Sequence, residues 1–289
     1  MTRLSRDDFR FFHRLRVRWA EVDMQKIVFN AHYLMYFDTA ISDYWRALAL
    51  PYEETMHSLE GDLYVVKATV EYHASARADE QIDVAMKCGR VGTSSMAFTG
   101  AIFRGDEHLI TGEIVYVFAD PATQRSRPVP DSLRAILLGH EAGEDMVDLR
   151  VGAWAELGEG ASQLRAEVFV REQGIPLELE MDAADADAVH AVARNRLGRV
   201  VATGRLLRGE APGVSKIGRM AVHRVLRGGN LGRRVLFALM DAARARGDRE
   251  VRLHAQRSAV GFYARLGFVP LGEAFEEAGI PHQTMVKAL

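Results

Sequence analysis

The sequence is poor in the features that mark secreted and membrane proteins. Its 289 residues include one cysteine, Cys88, so no disulfide can form within the chain. No apolar run is long enough to cross a bilayer, and the first ten residues lack the apolar core of a signal peptide. These absences predict a cytoplasmic protein that has no membrane partner.

Several catalytic and binding signatures are also missing. The ten histidines include no His-Glu-x-x-His and no His-x-x-x-His pair, and a single cysteine leaves no thiolate set for zinc. The chain has no Walker loop and no serine-centred nucleophile elbow. A net charge of -2 provides no electrostatic attraction to nucleic acid or to anionic lipid. We therefore expect no metal, no tightly bound cofactor and no nucleic-acid partner.

The length and the composition of the chain suit two folded domains. Hydrophobic residues make up 48% and charged residues 26% of a chain that is too long for one ordinary core. Strand character ends after Pro130, and the following glycine-containing acidic stretch is typical of a linker. We predict an α+β protein with domains at residues 1–138 and 149–289, joined by a linker at 139–148.

Residues 19–50 hold the most regular pattern of the first half. A polar turn containing Asp23 leads into a segment that Asn30 opens and Pro51 ends. Apolar residues in this segment are spaced three and four apart, which predicts a helix of about five turns with one apolar face. That predicted face consists of Leu34, Phe37, Ile41, Trp45 and Leu48.

Strand-like runs lie on both sides of this helix in the sequence. The first covers residues 11–19, and four more follow the helix, separated by short polar breaks that suit antiparallel connections. These four runs cover residues 63–74, 81–91, 95–103 and 108–118. Cys88 alternates with apolar residues of the run 81–91, so we predict a buried core thiol in preference to a nucleophile.

A motif in this region resembles a known family. Asp23, six intervening residues and the sequence Asn30-Ala31-x-Tyr33 are similar to the signature of hotdog-fold acyl-CoA thioesterases, in their YbgC-like and FadM-like branches. The similarity covers residues 11–138. It implies an antiparallel sheet wrapped around a central helix, an acyl-CoA substrate and catalysis at a subunit interface. A single sheet around one helix also leaves an open edge, so we expect a homo-oligomer that forms through this domain.

Asp23 and Asn30 are the predicted catalytic residues of this half. A thioester carbonyl gains negative charge when it is attacked, and free N–H groups at a helix start stabilise that charge. Asp23 either deprotonates a water or attacks the carbonyl to form a mixed anhydride, and Asn30 orients the carbonyl or the water. The alternative is that Asp23 only caps a turn. Asn30 stands where the YbgC-like branch has histidine, which leaves acid–base work to Asp23.

The break between the second and third of the four runs contains Thr93 and Ser94. Similar thioesterases contact the pantetheine arm or the diphosphate of coenzyme A at this place, so the resemblance implies that both residues bind coenzyme A. An ordinary polar hairpin explains the same residues equally well, and both interpretations stay open.

The second half alternates between strand-like and helical segments. A strand-like stretch at 151–157 and a helix at 162–172 come first. Further strands are predicted at 187–194, 198–208, 215–222, 249–256 and 282–287, and further helices at 231–246 and 258–268. This order predicts a mixed sheet flanked by helices.

The glycine-rich turn before the helix at 231–246 resembles the acyl-CoA-binding motif of GNAT N-acetyltransferases. Glycines let backbone N–H groups approach a diphosphate, and a helix start adds partial positive charge. Asn230 replaces a glycine that is usual there, but asparagine tolerates the left-handed conformation. A turn of this kind is also common in ordinary loops. The residues predicted to bind acetyl-CoA are Met220, Val222, Arg227, Gly228, Gly229, Asn230, Leu231, Gly232 and Arg233.

A second segment strengthens this resemblance. The stretch 259–268 matches another GNAT motif, and the similarity, which is to the ElaA-like branch, spans about residues 150–289. In that family an amine attacks the acetyl thioester and a tyrosine protonates the departing thiolate, which is the role implied for Tyr263. A core aromatic residue is the alternative. The candidates for the general base, each of which also suits a structural role, are Glu172, Glu180 and His282.

Two functional hypotheses follow. In the first, the N-terminal half hydrolyses an acyl-CoA thioester and the C-terminal half transfers acetyl from acetyl-CoA to an unidentified amine. In the second, the thioesterase is joined to a non-catalytic module that senses acetyl-CoA or directs assembly, because no strong base is evident in the second half.

Overall fold

A computed structural model describes residues 4–289 of the protein and separates into two compact units, with the boundary between Met146 and Val147. Within the segment 139–148, which was predicted as a linker, a helix continues to Ala142 and a strand begins at Val147. The helix ends where Gly143 adopts a φ of 87°, a left-handed conformation that costs glycine little.

The first unit is a five-stranded antiparallel sheet with one long helix packed on it. The strand order is β1-β3-β4-β5-β2, so β1 and β2 form the edges. The strands are β1 (Phe11–Arg16), β2 (Asp62–Tyr72), β3 (Gln81–Val91), β4 (Ser95–Arg104) and β5 (Glu107–Ala119). The helices are α1 (His32–Ala47), α2 (Tyr52–Ser58) and α3 (Asp131–Ala142). The four strands predicted after the helix are confirmed to within two residues at each end.

The central helix α1 meets the sheet at a pair of glycines. Gly100 of β4 and Gly112 of β5 lie opposite each other, and the ring of Phe37 fills the space above both. A Cβ atom added at Gly100 would lie 2.4 Å from the Phe37 ring, and one added at Gly112 would lie 2.5 Å from it. The missing side chains therefore let the helix sit close to the sheet.

The predicted apolar face of α1 is partly wrong. Leu34 is 39% exposed, and the helix begins at His32 and not at Asn30. Three tyrosines of the helix, Tyr33, Tyr36 and Tyr44, are buried instead. Their hydroxyls form hydrogen bonds to the Ala76 N–H, to Glu21 and to Glu141, respectively. These bonds satisfy the polar end of each buried ring, so the buried face is centred on the aromatic residues.

Three further features of this unit bear on the predictions. The first predicted strand is too long, because β1 ends at Arg16 and Trp19–Glu21 forms a 3-10 turn. The helix α3 was not predicted, although Pro130 at its N-cap and Gly143 after its end are helix-boundary signals. Cys88 is buried, as predicted, and burial raises the pKa of its thiol to about 12.

The second unit is a mixed sheet flanked by helices. Its strand order is β11-β13-β10-β9-β8-β7-β6, and the short β12 pairs with β13. Strands β9 and β10 run parallel, whereas the other strand pairs described in this sheet are antiparallel. The strands are β6 (Val147–Ala153), β7 (Val189–Asn195), β8 (Val200–Arg208), β9 (Val214–Val222), β10 (Glu250–Gln256), β11 (Val269–Pro270), β12 (Phe275–Glu277) and β13 (Ile280–Ala288). The helices are α4 (Trp154–Arg165), α5 (Leu177–Glu180), α6 (Leu231–Ala245) and α7 (Val260–Arg265).

The start of this unit differs from the prediction. The stretch 151–157 was predicted as a strand, but β6 ends at Ala153 and α4 begins at Trp154. Leu157, Ala161 and Leu164 give α4 an apolar face, and that helical spacing overrides the strand-like start. The end of the predicted helix, Ala166–Glu172, is wound as a π-helix. No helix within residues 4–289 is both long and apolar enough to cross a membrane.

Candidate functional sites

Asp23 lies in a tight loop of the first unit that a β-bridge between Val22 and Val28 closes. The Gln25 N–H donates a hydrogen bond of 2.8 Å to Oδ1 of Asp23. Asp23 therefore does cap a turn, as the alternative interpretation held, but it uses one oxygen for this. Within residues 4–289 the other oxygen, Oδ2, accepts no hydrogen bond. It is available to a water or to a substrate.

The buried carboxylate of Glu21 holds this loop in place. Glu21 is only 3% exposed and accepts hydrogen bonds from the Arg18 N–H at 2.7 Å, the Arg18 Nε at 2.6 Å and the Tyr36 hydroxyl at 2.7 Å. The Phe29 N–H donates to the Glu21 carbonyl at 2.9 Å. Burial raises the pKa of Glu21, but the hydrogen bonds from Tyr36 and Arg18 outweigh burial and hold it below its usual value. The sequence analysis missed Glu21, because its burial depends on a tyrosine one helix turn into α1.

Asn30 lies at the entrance to α1, where backbone amides are free. The N–H groups of Asn30 and Ala31 donate to no acceptor in the described chain, and both residues are exposed. The Tyr72 hydroxyl donates to the Asn30 carbonyl at 3.3 Å, while the side-chain amide of Asn30 makes no hydrogen bond within residues 4–289. Free amides at a helix start, next to a polar side chain, can stabilise a negatively charged oxygen.

The residues on either side of Asp23 in the chain expose large apolar side chains. Trp19 is 86% exposed, Met24 is fully exposed and Phe29 is 47% exposed. Apolar exposure continues along the edge strand β2 at Val65 and Val66. Exposed apolar surface of this extent is typical of an interface or of a ligand groove.

Thr93 and Ser94 form the turn between β3 and β4. Their backbone carbonyls accept hydrogen bonds of 2.8 Å from the Val129 and Phe118 N–H groups. Arg134 secures the same turn by donating to the carbonyls before it. Among the described residues, the hydroxyls of Thr93 and Ser94 make no hydrogen bond, so the turn is rigid but presents free hydroxyls.

The structure separates this turn from Asp23 within one protomer. Strand β5 lies between β4 and β2, and its pairings place the Thr93–Ser94 turn near the Asp62 end of β2. The Asp23 loop lies at the other end, because Ile27 of that loop pairs with Arg77, which follows the Tyr72 end of β2. Because β2 has 11 residues, at about 3.3 Å per residue the two ends are roughly 30 Å apart. Asp23 and Thr93, which were predicted for one thioesterase site, therefore lie near opposite ends of the same sheet.

In the second unit, the parallel strands β9 and β10 separate after four residue pairs, the last being Ile217 with Leu253. A bulge in β9 accompanies the separation, and Arg219 in it has a φ of 51°. A cavity of about 460 Å³ opens here, with Met220 of β9 and His254 of β10 in its wall. The gap leaves room for an extended ligand between the strands.

The loop predicted to bind acetyl-CoA joins this sheet to α6. Gly228 has a φ of 86° and Asn230 a φ of 71°, so asparagine does support the left-handed turn. Five N–H groups at this junction donate to no acceptor within residues 4–289. They belong to Gly228, Asn230, Leu231, Gly232 and Arg233. A helix of 15 residues begins behind them, and its dipole adds positive charge to these amides. Free amides in this position are suited to bind an anion.

The two arginines predicted to bind acetyl-CoA differ in their surroundings. Arg227 donates to both oxygens of Glu172, at 2.6 and 2.7 Å, and to the Val222 carbonyl at 3.1 Å. The guanidinium of Arg227 holds the pKa of Glu172 below its usual value. Arg233 is exposed and stacks over Phe237 at 5.1 Å, and it makes no ion pair in the described chain. The contacts of Arg227 therefore hold the loop in place, while the exposed guanidinium of Arg233 is accessible to a phosphate group.

Met220 and Val222 also differ in their positions. The Met220 side chain lines the cavity and fills the space above Gly204, where an added Cβ atom would lie 2.5 Å from the Met220 sulfur. Val222 supports the loop, because its carbonyl accepts from Arg227 and its side chain lies 3.4 Å from the place of a Cβ on Gly232.

Tyr263 lies in α7 and lines the same cavity. It is 7% exposed and packs edge-to-face against Phe262 and Phe268. Its hydroxyl makes no hydrogen bond within the described residues, and burial raises its pKa to about 12. The ring of Tyr263 therefore packs in the core, and the residue also borders the cavity. Its role as an acid stays a prediction.

The three candidate bases have different surroundings. Glu172 is paired with Arg227. Glu180 is 2% exposed and is paired with Arg165 and Arg219, and burial nevertheless raises its pKa. His282 lines the cavity. Among the cavity residues that the sequence analysis did not single out are His254 and Glu277.

An arginine–carboxylate cluster holds the segment 177–186 beside the cavity. Arg205 donates to Asp182 at 2.6 Å and to Asp185 at 2.8 Å, and Arg165 also donates to Asp185 at 2.8 Å. Arg165 and Asp185 are almost completely buried. Because each of these buried charges is paired, removing one would leave another without its partner, and we assign the cluster a structural role.

Comparison with known proteins agrees with these two architectures. Residues 17–137 match the family model of the thioesterase-like superfamily, and residues 158–289 match that of the acetyltransferase (GNAT) domain. The uncharacterized N-acetyltransferase YjcF of Bacillus subtilis is 36% identical over 128 residues, which are 44% of this chain and 89% of YjcF. The UPF0039 protein Rv2851c of Mycobacterium tuberculosis is 37% identical over 129 residues, which are 43% of this chain and 80% of that protein. The chain belongs to the GNAT acetyltransferase family through its C-terminal half, and its N-terminal half is similar to the thioesterase-like superfamily.

Solved structures resemble each half separately. Escherichia coli ElaA is 30% identical, with a TM-score of 0.45 and coverage of 49% of this chain and 99% of ElaA. Slr0204 of Synechocystis, described as a 1,4-dihydroxy-2-naphthoyl-CoA thioesterase, is 15% identical, with a TM-score of 0.41 and coverage of 44% of this chain and 95% of Slr0204.

Proposed function

We propose that the chain is a bifunctional acyl-CoA enzyme, with a thioesterase domain at residues 1–138 and an N-acetyltransferase domain at 149–289. The first domain hydrolyses an acyl-CoA thioester, and the second transfers acetyl from acetyl-CoA to an amine. The observation that carries the transferase half is the cluster of five unpaired amides at the start of α6, next to the gap between β9 and β10. Acetyl-CoA combines an anionic diphosphate with an extended arm, and it suits both features.

The transfer step uses the residues of the cavity. The amine nitrogen attacks the acetyl carbonyl carbon, so a C–N bond forms and the carbonyl oxygen becomes negative. When this intermediate collapses, the C–S bond breaks and the thiolate of coenzyme A departs. Tyr263 gives its hydroxyl proton to the sulfur, and because burial raises its pKa to about 12, the hydroxyl is protonated throughout the neutral range.

The hydrolytic step in the first half uses Asp23 and the start of α1. The free amides of Asn30 and Ala31 bind the carbonyl oxygen as it becomes negative, and Asn30 orients the carbonyl or the water. Oδ2 of Asp23, which accepts no hydrogen bond among the described residues, either takes a proton from water or attacks the carbonyl. Both routes release the free acid and coenzyme A.

Each thioesterase site needs two protomers in this proposal. Thr93 and Ser94 lie roughly 30 Å from the Asp23 end of the same sheet, at about 3.3 Å per residue of β2. A second copy that pairs antiparallel along the exposed edge of β2 would bring its own Thr93 turn to the Asp23 loop of the first. The exposed apolar side chains of Val65 and Val66 on that edge support such pairing.

Complementation between variants tests this arrangement. Asp23→Asn and Thr93→Asp/Ser94→Asp chains are produced separately and together, and acyl-CoA hydrolysis is followed by release of free thiol. In mixed dimers one of two sites is intact, so random pairing should restore about a quarter of the normal sites. No recovery in the mixture, with dimers formed normally, would place the whole site in one protomer.

The full-length protein also tests whether both halves are catalysts. Thiol release is measured over a panel of acyl-CoA compounds, with and without primary amines, and acetylated amines are detected by mass spectrometry. We expect hydrolysis without amine and additional release from acetyl-CoA when amine is present. If acetyl-CoA alters hydrolysis of another acyl-CoA but no amine is acetylated, the second half is a sensing module.

A further inference from the structure

A carboxylate and two imidazoles meet at the wall of the transferase cavity. Glu277 at the end of β12 lies 2.9 Å, through Oε2, from Nδ1 of His254 on β10. His282 on β13 pairs with Gln256 of β10 and with Phe275 of β12, so the three strands present these side chains on one face. His254, Glu277 and His282 all line the cavity that Tyr263 borders.

The contacts of His254 determine which of its nitrogens can accept a proton. The pKa of Glu277 is lowered, because the hydrogen bond from His254 outweighs the effect of its burial, so Glu277 is a carboxylate near neutral pH. A carboxylate only accepts hydrogen bonds, and Nδ1 of His254 must therefore carry the hydrogen. When Nδ1 carries the only ring hydrogen, Nε2 holds a free lone pair. Nδ1–H held by a carboxylate is the arrangement that orients a histidine base and compensates the charge it acquires.

We propose that His254 is the general base of the acetyl transfer and that Glu277 is the residue that positions it. This assignment rests on the proposed transferase function. Nε2 of His254 takes a proton from the amine as its nitrogen forms the C–N bond, and Tyr263 gives a proton to the sulfur as the C–S bond breaks. Afterwards the imidazolium of His254 releases one proton to solvent and the phenolate of Tyr263 takes one up, so the cycle is balanced.

The other acids and bases of the site are less suited to this role. Glu172 and Glu180 are already paired with arginines, so their oxygens are engaged. Nδ1–H of His282 donates to the Ile280 carbonyl at 2.7 Å, which also leaves its Nε2 free, but a neutral carbonyl compensates less charge than a carboxylate does. His282 stacks on Phe275 with an angle of 26° between the rings, and we assign it to the wall of the cavity.

The first comparison uses four variants of the full-length protein. His254→Asn keeps a side-chain N–H that can donate to Glu277 but has no basic nitrogen, and Glu277→Gln keeps the shape while removing the charge. His282→Asn removes the other imidazole. Glu276→Gln is the matched control, because Glu276 is the neighbour of Glu277, is exposed as Glu277 is, and makes no ion pair among the described residues.

Two measurements are made on each variant. Acetyl-CoA binding is measured by calorimetry, and acetyl transfer is measured at saturating acetyl-CoA with putrescine, tyramine, kanamycin and glycylglycine as amines. We expect His254→Asn to lower kcat by about a hundredfold or more and to leave acetyl-CoA binding within about twofold. Glu277→Gln should lower kcat by about tenfold, as the exchange of a charge-assisted for a neutral hydrogen bond predicts. Glu276→Gln should match the unaltered chain.

Imidazole in the buffer separates a chemical role from a structural one. It should restore part of the activity of a His254→Ala variant, and it should leave Glu277→Gln unchanged. A normal kcat in His254→Asn would overturn the assignment of His254 as the base. A larger loss of kcat in His282→Asn than in His254→Asn would overturn it too. In both cases the transferase proposal would stand. An unaltered chain that binds acetyl-CoA but acetylates none of the amines also overturns it. If the unaltered chain does not bind acetyl-CoA, the transferase proposal fails and this assignment with it.

Discussion

The guanidinium of Arg227 and the carboxylate of Glu172 form a two-point ion pair, with N–O distances of 2.6 and 2.7 Å. Glu172 is the last residue of the π-helix Ala166–Glu172, and Arg227 begins the loop that carries the five unpaired amides. The sequence resemblance implies that Arg227 binds acetyl-CoA. In the structure its guanidinium is paired with a carboxylate of the protein, that of Glu172. In our proposal, Arg227 acts on acetyl-CoA binding by keeping these amides in position.

This pair predicts coupling between the two residues. Arg227→Ala and Glu172→Gln should each weaken acetyl-CoA binding by about three- to tenfold, and the double variant should lose little more than either single one, because both remove the same contact. Arg233→Ala should weaken binding by a similar factor, but its effect should diminish as salt is added, because Arg233 is exposed. Calorimetric titrations at low and high salt measure all four variants. Additive losses for Arg227 and Glu172 would indicate that Arg227 contacts the ligand directly.

Asp23→Asn should lower acyl-CoA hydrolysis by at least about a hundredfold, the effect expected when an essential base or nucleophile is lost. Asparagine still offers an oxygen to the Gln25 N–H, so the turn and the fold should be kept. Asp120→Asn is the matched control, because Asp120 caps another turn through the Ala122 and Thr123 N–H groups. Thiol release and thermal unfolding are measured on both variants. Near-normal turnover in Asp23→Asn would leave Asp23 as a turn cap alone.

Tyr263→Phe should slow acetyl transfer by about a hundredfold and leave acetyl-CoA binding nearly unchanged, because the ring keeps its packing and only the acid is lost. The raised pKa of Tyr263, about 12, also predicts a pH profile. A tyrosine is an acid only below its pKa, so transfer should not decline around pH 10, where an unshifted tyrosine ionises, and should decline only towards pH 12. A decline centred on pH 10 in the kcat profile would contradict the buried position of the acid.

Gly100→Ala should destabilise the first unit by about 1–3 kcal/mol, because its new methyl group overlaps the Phe37 ring and the packed core cannot move freely. Phe37→Leu alone should also destabilise it, since a smaller side chain leaves a gap above both glycines. In the double variant the smaller side chain relieves the overlap, so the combined loss should be less than the sum. Denaturant unfolding of the four proteins, followed by a probe in the first unit, measures this coupling. Strict additivity would show that Phe37 does not rest on Gly100.

Much of the local structure is readable from the sequence. The strands β2 to β5 are found within two residues of their predicted ends, because alternation and polar breaks depend on neighbouring residues. The turn at Gly228 and Asn230 and the helix after it are likewise local, since left-handed residues and a helix start depend on neighbouring residues in the chain. The cytoplasmic location and the transfer of acetyl to an amine stay predictions.

Other features depended on contacts that sequence spacing does not express. Leu34 fits the apolar spacing of α1 but is exposed, because the tyrosine hydroxyls of that helix find hydrogen-bond acceptors and donors on distant segments. The end of α4 continues as a π-helix, and the residue types of this segment do not indicate the change from α-helical to π-helical winding.

The sequence by itself determined the strands β2 to β5, the turn before α6 and that helix, and the two residue patterns that point to acyl-CoA chemistry. These properties arise from residues close together in the chain. Only the tertiary structure decided that Glu277 meets His254, 23 residues away, and that Asp23 and Thr93 lie at opposite ends of one sheet. Strand register and sheet order set such distances, and they result from the packing of the whole unit.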